Sequence, residues 1–99
     1  MKIELEIKDN DWGFEDNAYI KIGQPSKFLM AISANKEGLI SLARQMLSLA
    51  YSTNEDFNHI HHTAEANTTD YGYIYGDLEE GSLELCIDKV EKQGRKSPN

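Results

Sequence analysis

One stretch of the chain predicts its secondary structure more firmly than any other. Residues 34–50 read A-N-K-E-G-L-I-S-L-A-R-Q-M-L-S-L-A, and their apolar members recur every three or four positions, as on one face of a helix. Asn35 offers a side-chain oxygen as the amino-terminal cap, and poor helix formers at residues 52–56 end the pattern. The sequence therefore predicts one amphipathic helix over residues 36–51.

The same spacing predicts which side of this helix is buried. The apolar face comprises Leu39, Leu42, Ala43, Met46, Leu47 and Ala50. The face expected to contact water comprises Ser41, Arg44, Gln45 and Ser48. Because an apolar stripe must be buried against another element, we expect this helix to lie on a sheet.

Alternating apolar and polar residues predict strands on both sides of the helix. Three strands are expected before it, at residues 3–7, 18–22 and 28–34, and two after it, at residues 57–63 and 83–87. The third is apolar on both faces, as expected for a central strand that is covered on both sides or lies partly beneath the helix.

These elements predict a single α+β domain. The order β-β-β-α-β-β contains no strand-helix-strand repeat, so we expect an antiparallel sheet of about five strands with the helix on one face. Ninety-nine residues support only one hydrophobic core. We place the domain at residues 1–90 and expect the polar residues 91–99 to form a disordered tail.

The composition limits the partners of the chain. Ten Lys and Arg against seventeen Asp and Glu give a formal charge of -7, which repels nucleic acids and anionic membranes and favours a basic protein partner. No apolar run reaches the ~18 residues of a membrane span, and no signal segment follows Met1. Cys86 is the only cysteine and lies in an apolar strand pattern, so we expect a buried thiol and a cytoplasmic location.

Three histidines, His59, His61 and His62, offer the most enzyme-like chemistry in the sequence. On a strand, His59 and His61 point to one face and could bind a metal ion, whereas His62 points away. A catalytic zinc ion needs about three protein ligands, so a carboxylate from another segment would have to join them. No nucleophile with a matched base and no phosphate-binding loop accompanies them. We expect no metal or other cofactor, and solvent-facing histidines.

Two acidic segments carry aromatic residues that favour a protein interface. The loop at residues 9–17 and the segment at residues 64–88 both combine large aromatic side chains with carboxylates, which attract a basic partner. A solvated acidic surface and aromatic residues that cap the core explain the same pattern. The predicted partner-binding residues are Asp11, Trp12, Phe14, Glu15, Asp16, Tyr71, Tyr73, Asp77, Glu79 and Glu80.

Three motifs resemble a family of bacterial immunity proteins. They are the helix sequence at residues 34–50, H-I-H at residues 59–61 and L-E-E-G-S-L-E-L-C-I at residues 78–87. The resemblance is to immunity protein thirty-two and covers residues 20–89. It implies a protein that is encoded beside a secreted toxin and protects its own cell by binding the toxin domain in the cytoplasm.

The resemblance also separates two kinds of residue. The motif residues are expected to hold the fold together, and the toxin contacts are expected in the loop at residues 9–17 and the long segment at residues 64–76. The predicted function is therefore neutralisation of a cognate toxin, a nuclease among the candidates, without catalysis. Two alternatives remain: a metal-dependent hydrolase using His59 and His61, and a structural adaptor that pairs through a sheet edge, including as a homodimer.

Overall fold

The computed structural model describes residues 1–64 and 78–94, together with the backbone of residues 67–69 and 72–74. These residues form one helix and six strands. In chain order the elements are β1 (Ile20–Ser26), β2 (Leu29–Ala34), α1 (Lys36–Tyr51), β3 (His59–His62), β4 (Asn67–Thr69), β5 (Gly72–Ile74) and β6 (Leu85–Asp88). No helix in the part of the chain described is long and apolar enough to cross a membrane.

The strands form antiparallel pairs rather than the single five-stranded sheet predicted. β1 pairs with β2, β3 with β6, and β4 with β5. The α+β class is therefore confirmed, whereas the one-sheet architecture is wrong. The strand expected at residues 3–7 is also wrong, because this segment makes no strand pairing among the described residues and a strand requires a neighbouring backbone.

The β1–β2 hairpin follows from its sequence. Ile22 lies opposite Ile32, and the register shifts between Gly23 and Ser26, where Pro25 has no N–H to donate to a ladder. Among the described residues β2 pairs only with β1, so the prediction of a central position covered on both sides is wrong. Half of the surface of Ile32 remains exposed.

The opposite edge of β1 binds a turn that follows β5 in the chain. Glu79 N–H donates to the Ile20 carbonyl at 2.8 Å, and Leu83 N–H donates to the Ile22 carbonyl at 2.9 Å. In return, Ile22 N–H donates to Ser82 Oγ at 3.1 Å. Because the turn leads directly into β6, it connects the β1–β2 hairpin to the β3–β6 pair.

In the part of the chain that the structure describes, the core consists of two small apolar clusters beneath the helix. Leu42 packs with the first cluster, formed by Ile20, Ile22 and Leu78. Leu49 packs with the second, formed by Phe57 and Ile60. The amino-terminal half of α1 therefore covers β1, and its carboxyl-terminal half covers the β3–β6 pair.

The helix has the predicted bounds, but the prediction of its buried face is wrong. Ser41, Gln45 and Ser48 are buried, whereas Leu39 and Met46 are exposed. The helix is rotated in this way because the segment that precedes β1 crosses it and presents backbone groups that need polar partners. Part of the predicted apolar stripe consequently faces solvent.

The start of the helix is tied to the start of β1 by one side chain. Asn35 Oδ1 accepts hydrogen bonds from Gly38 N–H at 2.8 Å and from Tyr19 N–H at 2.9 Å, and its Nδ2 donates to the Asn17 carbonyl. Asn35 is thus the predicted amino-terminal cap. Gly38 allows the close approach, because a Cβ at this position would overlap the Tyr19 carbonyl oxygen.

Candidate functional site

A polar strap, which we define as residues 8–17, lies along the helix in the opposite chain direction. Ser48 Oγ donates to the Lys8 carbonyl at 2.6 Å and accepts from Asp11 N–H at 3.0 Å. Further along, Ser41 Oγ accepts from Glu15 N–H at 2.8 Å. The helix serines therefore satisfy backbone groups of the strap, as buried polar groups require.

Gln45 is the centre of the contact between the strap and the helix. Its Nε2 donates to the Gly13 carbonyl at 2.8 Å, which leaves Oε1 to accept from His62 Nε2 at 2.6 Å. The proton of His62 therefore lies on Nε2 in this arrangement. The Phe14 ring packs edge-on against the His62 ring, with centroids 4.7 Å apart. The predicted contact residue Phe14 is thus half-buried and braces the core.

Trp12 is the aromatic residue of the strap that faces outward. Its ring contacts Phe57 edge-on at 5.8 Å between centroids, yet 64% of its surface is exposed. Phe57 also lines an open cleft of about 460 Å³. The remaining lining residues are Ser52, Thr53, Asn54, Glu55, Asn58, Lys89 and Glu91. The sequence contains no sign of this cleft, because residues 52–56 indicate only the end of a helix.

The predicted carboxylates fall into two environments. Asp11 is buried and accepts Gly13 N–H at 2.9 Å, and Glu15 forms an ion pair with Arg44 at 2.9 Å. These two groups shape the strap. Asp16 faces solvent, as do Glu79 and Glu80 on the turn that binds β1. The exposed carboxylates are free to meet a partner.

Three predicted contact residues lie outside the description of side chains. Tyr71 and Asp77 are outside the described residues, and Tyr73 is described only as part of the β5 backbone. Their proposed contact with a partner therefore stays a prediction.

His59 and His61 are exposed on one face of β3, and His62 faces inward, as the strand pattern predicted. His61 Nε2 lies 2.9 Å from Glu84 Oε2, and His59 Nδ1 lies 2.9 Å from Asn58 Oδ1. Among the residues whose side chains are described, no three His, Cys, Asp or Glu side chains converge closely enough to hold a metal ion. In the part of the chain that the structure describes, His61 and Glu84 form a hydrogen-bonded pair on the surface.

Cys86 lies opposite His61 on β6, and the prediction that its thiol is buried is wrong. The residue is exposed because the inward positions of this strand belong to Leu85 and Ile87. The pKa of the thiol is raised, first by partial desolvation and then by the Asp88 carboxylate, which repels a thiolate and accepts the thiol hydrogen bond at 3.6 Å. Cys86 is consequently a weak nucleophile at neutral pH.

Comparison with protein families decides the relationship of the chain. The model of the family described as Immunity protein 32 matches residues 30–90, which is more than half of the sequence. The chain belongs to the Immunity protein 32 family. Searches of curated proteins and of solved structures find no match. Membership in this family implies an immunity role.

The match to the Immunity protein 32 family covers the scaffold and leaves out the strap. It begins within β2 and extends through α1, β3 and β6, so residues 8–17 and β1 lie outside it. Within the match, Leu78 is buried, Gly81 adopts a φ of 85°, and Ser82 binds the β1 backbone. These family-like residues act in the fold, as the resemblance implied.

Proposed function

We propose that this protein protects a bacterial cell by binding one cognate toxin domain in the cytoplasm, without catalysing a reaction. The observation that carries the proposal is the match to the Immunity protein 32 family across residues 30–90. The surface of the protein supports binding as its mode of action. The buried Ser41, Gln45 and Ser48 hold the strap, whereas the large side chain of Trp12 faces outward.

The contact surface that the structure favours is centred on Trp12. A mostly exposed tryptophan held in place by Phe57 is a preorganised anchor, and tryptophan is enriched among residues that dominate binding energy. The cleft beside Phe57 offers space for a side chain of the partner. Glu55 and Glu91 on its rim are suited to the cationic end of an arginine or lysine.

Charge supports a basic toxin. The chain carries a formal charge of -7, and the exposed Asp16 lies on the same strap as Trp12. A toxin that acts on nucleic acid must attract phosphate and therefore presents a basic site, which such a surface can approach and cover. The exposed Glu79 and Glu80 form a second acidic position on the turn that binds β1.

Growth rescue tests the proposal. The toxin-like domain encoded next to this protein is expressed in sensitive cells, alone and together with this chain. Restored growth only in the presence of this chain is the expected result. Loss of growth in both cultures, with both proteins present at comparable levels, would contradict immunity to that toxin.

Two matched substitutions test the surface. Trp12→Ala is expected to weaken toxin binding at least about tenfold, because it removes an anchor at the proposed centre of the contact. Tyr19→Ala is the control, since Tyr19 is also an exposed aromatic residue but lies at the start of β1. Equal toxin affinity for the two folded variants would exclude Trp12 as an anchor.

A further inference from the structure

The described residues leave the outer, apolar edge of β2 uncovered. Within the described residues β2 pairs only with β1, and Leu29, Met30 and Ile32 each leave at least half of their surface exposed. Phe28, at the turn, is 91% exposed. Edge strands are usually protected by charged residues or proline, but residues 28–35 contain neither. Such an edge is suited to pairing with another strand.

The charge around this edge differs from that of the rest of the chain. Residues 17–36 contain three lysines and no acidic residue, in a protein whose net charge is -7. The lysines are Lys21, Lys27 and Lys36. A strand that is apolar on one face and carries carboxylates at the centre of the other would therefore pack against the hairpin and direct carboxylates toward its lysines.

The amino-terminal segment, residues 1–8, has that pattern. Ile3, Leu5 and Ile7 alternate with charged residues, and the polar face carries Glu4 and Glu6 at its centre and one lysine at each end, so that it has no net charge. All three apolar side chains are exposed, and the segment forms no strand with the described residues. Its alternation is typical of a strand, and the described residues of one copy supply no partner for it.

We propose that residues 1–8 of one copy add as a strand to the β2 edge of a second copy. The exchange is reciprocal, so two identical contacts close a two-fold dimer. Each contact extends the β1–β2 hairpin to three strands, covers apolar side chains of β2 and brings Glu4 and Glu6 near the hairpin lysines. This pairing between copies requires no toxin.

The structure favours a second copy over the same chain as the source of the strand. The Lys8 carbonyl is held by Ser48, in the half of α1 that covers the β3–β6 pair. The turn leading into β6 occupies one edge of β1, and β2 occupies the other. The amino-terminal segment thus ends on the side of β1 away from β2 and its free edge.

Molar mass in solution gives the first test. Light scattering coupled to size exclusion is expected to show a concentration-dependent dimer of twice 11.2 kDa. Leu5→Glu and Ile32→Glu should each weaken dimerisation at least about tenfold. Leu47→Glu, an exposed apolar position on the helix, should leave the dimer unchanged. A monomer at every soluble concentration, or an equal effect of all three substitutions, would overturn the proposal.

Cysteine cross-linking gives a second test that does not require a destabilising charge. In a Cys86→Ser background, chains with Leu5→Cys are mixed with chains with Ile32→Cys and treated with a short bismaleimide. A covalent heterodimer, much reduced when Leu47→Cys replaces Leu5→Cys, is expected. In chains carrying both cysteines, a link within single chains in place of the link between chains would overturn the exchange. A link only after toxin is added would also contradict it.

Discussion

At the scale of single residues, the protein uses buried polar side chains where a small domain usually places apolar ones. Gln45 contacts the strap with its amide and the β3–β6 pair with its oxygen. The hydroxyls of Ser41 and Ser48 accept hydrogen bonds from backbone N–H groups of the strap. Together with the Arg44–Glu15 ion pair and the hydrogen bond from Asn35 to the Asn17 carbonyl, these three residues fix a segment without secondary structure to the helix.

Substitution of Gln45 tests this arrangement. Gln45→Ala leaves the Gly13 carbonyl and the His62 Nε2–H without their partner, so we expect a loss of roughly 2–5 kcal/mol in the free energy of unfolding. Gln24→Ala is the matched control, because Gln24 makes one exposed hydrogen bond, to the Lys27 carbonyl. Its effect should remain within about 0.5 kcal/mol. Urea denaturation measures both, and similar losses would contradict a structural role for Gln45.

Cys86 allows a prediction about pH. Its raised pKa favours the neutral thiol, so alkylation by iodoacetamide should be slow near neutral pH and accelerate as the pH rises. Asp88→Asn removes the carboxylate, lowers the pKa and should increase the rate at a fixed mildly alkaline pH. Glu91→Gln is the control and should leave the rate unchanged. An unchanged pH profile in Asp88→Asn would show that Asp88 does not hold the thiol in its neutral form.

At the scale of elements, the sequence predicted local structure better than its environment. Helix bounds of Lys36–Tyr51 follow from periodicity and the Asn35 cap, both local properties. The rotation of the helix does not follow from local properties, because it depends on the strap. The backbone groups of the strap make Ser48 and Gln45 more suitable for burial than Met46. Hydrophobic spacing contains no information on such a polar partner.

The strands show the same limit. Alternation correctly predicted a strand in β2, yet its apolar faces suggested a covered position that the pairing does not provide. The alternation of residues 3–7 likewise predicts a strand only where a neighbour exists. For the candidate site, aromatic residues in an acidic loop indicated the strap, but only the structure distinguishes the exposed Trp12 from the half-buried Phe14.

Gly38 tests the junction between α1 and β1. Alanine is the better helix former by about 1 kcal/mol, so propensity alone predicts that Gly38→Ala stabilises the protein. The new Cβ would overlap the Tyr19 carbonyl and press on Ile20, so we expect destabilisation by about 1–3 kcal/mol instead. Gly23→Ala is the control, because a Cβ there meets open space. Thermal unfolding should rank Gly38→Ala well below Gly23→Ala, and the reverse order would disprove the close approach.

At the scale of the whole molecule, charge is divided between two regions. Residues 17–36 are basic, and the remainder carries the acidic excess. The acidic strap and turn are therefore suited to a basic toxin, and the lysines of the hairpin to the central carboxylates Glu4 and Glu6 of a second copy. One small domain can hold both surfaces, since a standard interface takes about 800 Å² from each partner.

Salt dependence follows from this division. If carboxylates guide the toxin to the strap, its association rate should fall at least about tenfold between low and high salt, while dissociation changes less. Stopped-flow fluorescence of Trp12, the only tryptophan of this chain, measures the rate. Asp16→Asn should reduce the slope, and Lys21→Gln, on the hairpin, should not. A salt-independent rate would argue against electrostatic guidance.

The central claim is neutralisation by binding, and titration of toxin activity tests it most directly. Increasing amounts of this protein are added to a fixed toxin concentration well above the dissociation constant, and residual activity is measured after equilibration. Binding predicts a linear loss that reaches its end at one protein chain per toxin and recovers when the complex is separated under denaturing conditions and the toxin is refolded. Complete and lasting inactivation by far less than one chain per toxin would mean that the protein acts as a catalyst, which would contradict the account.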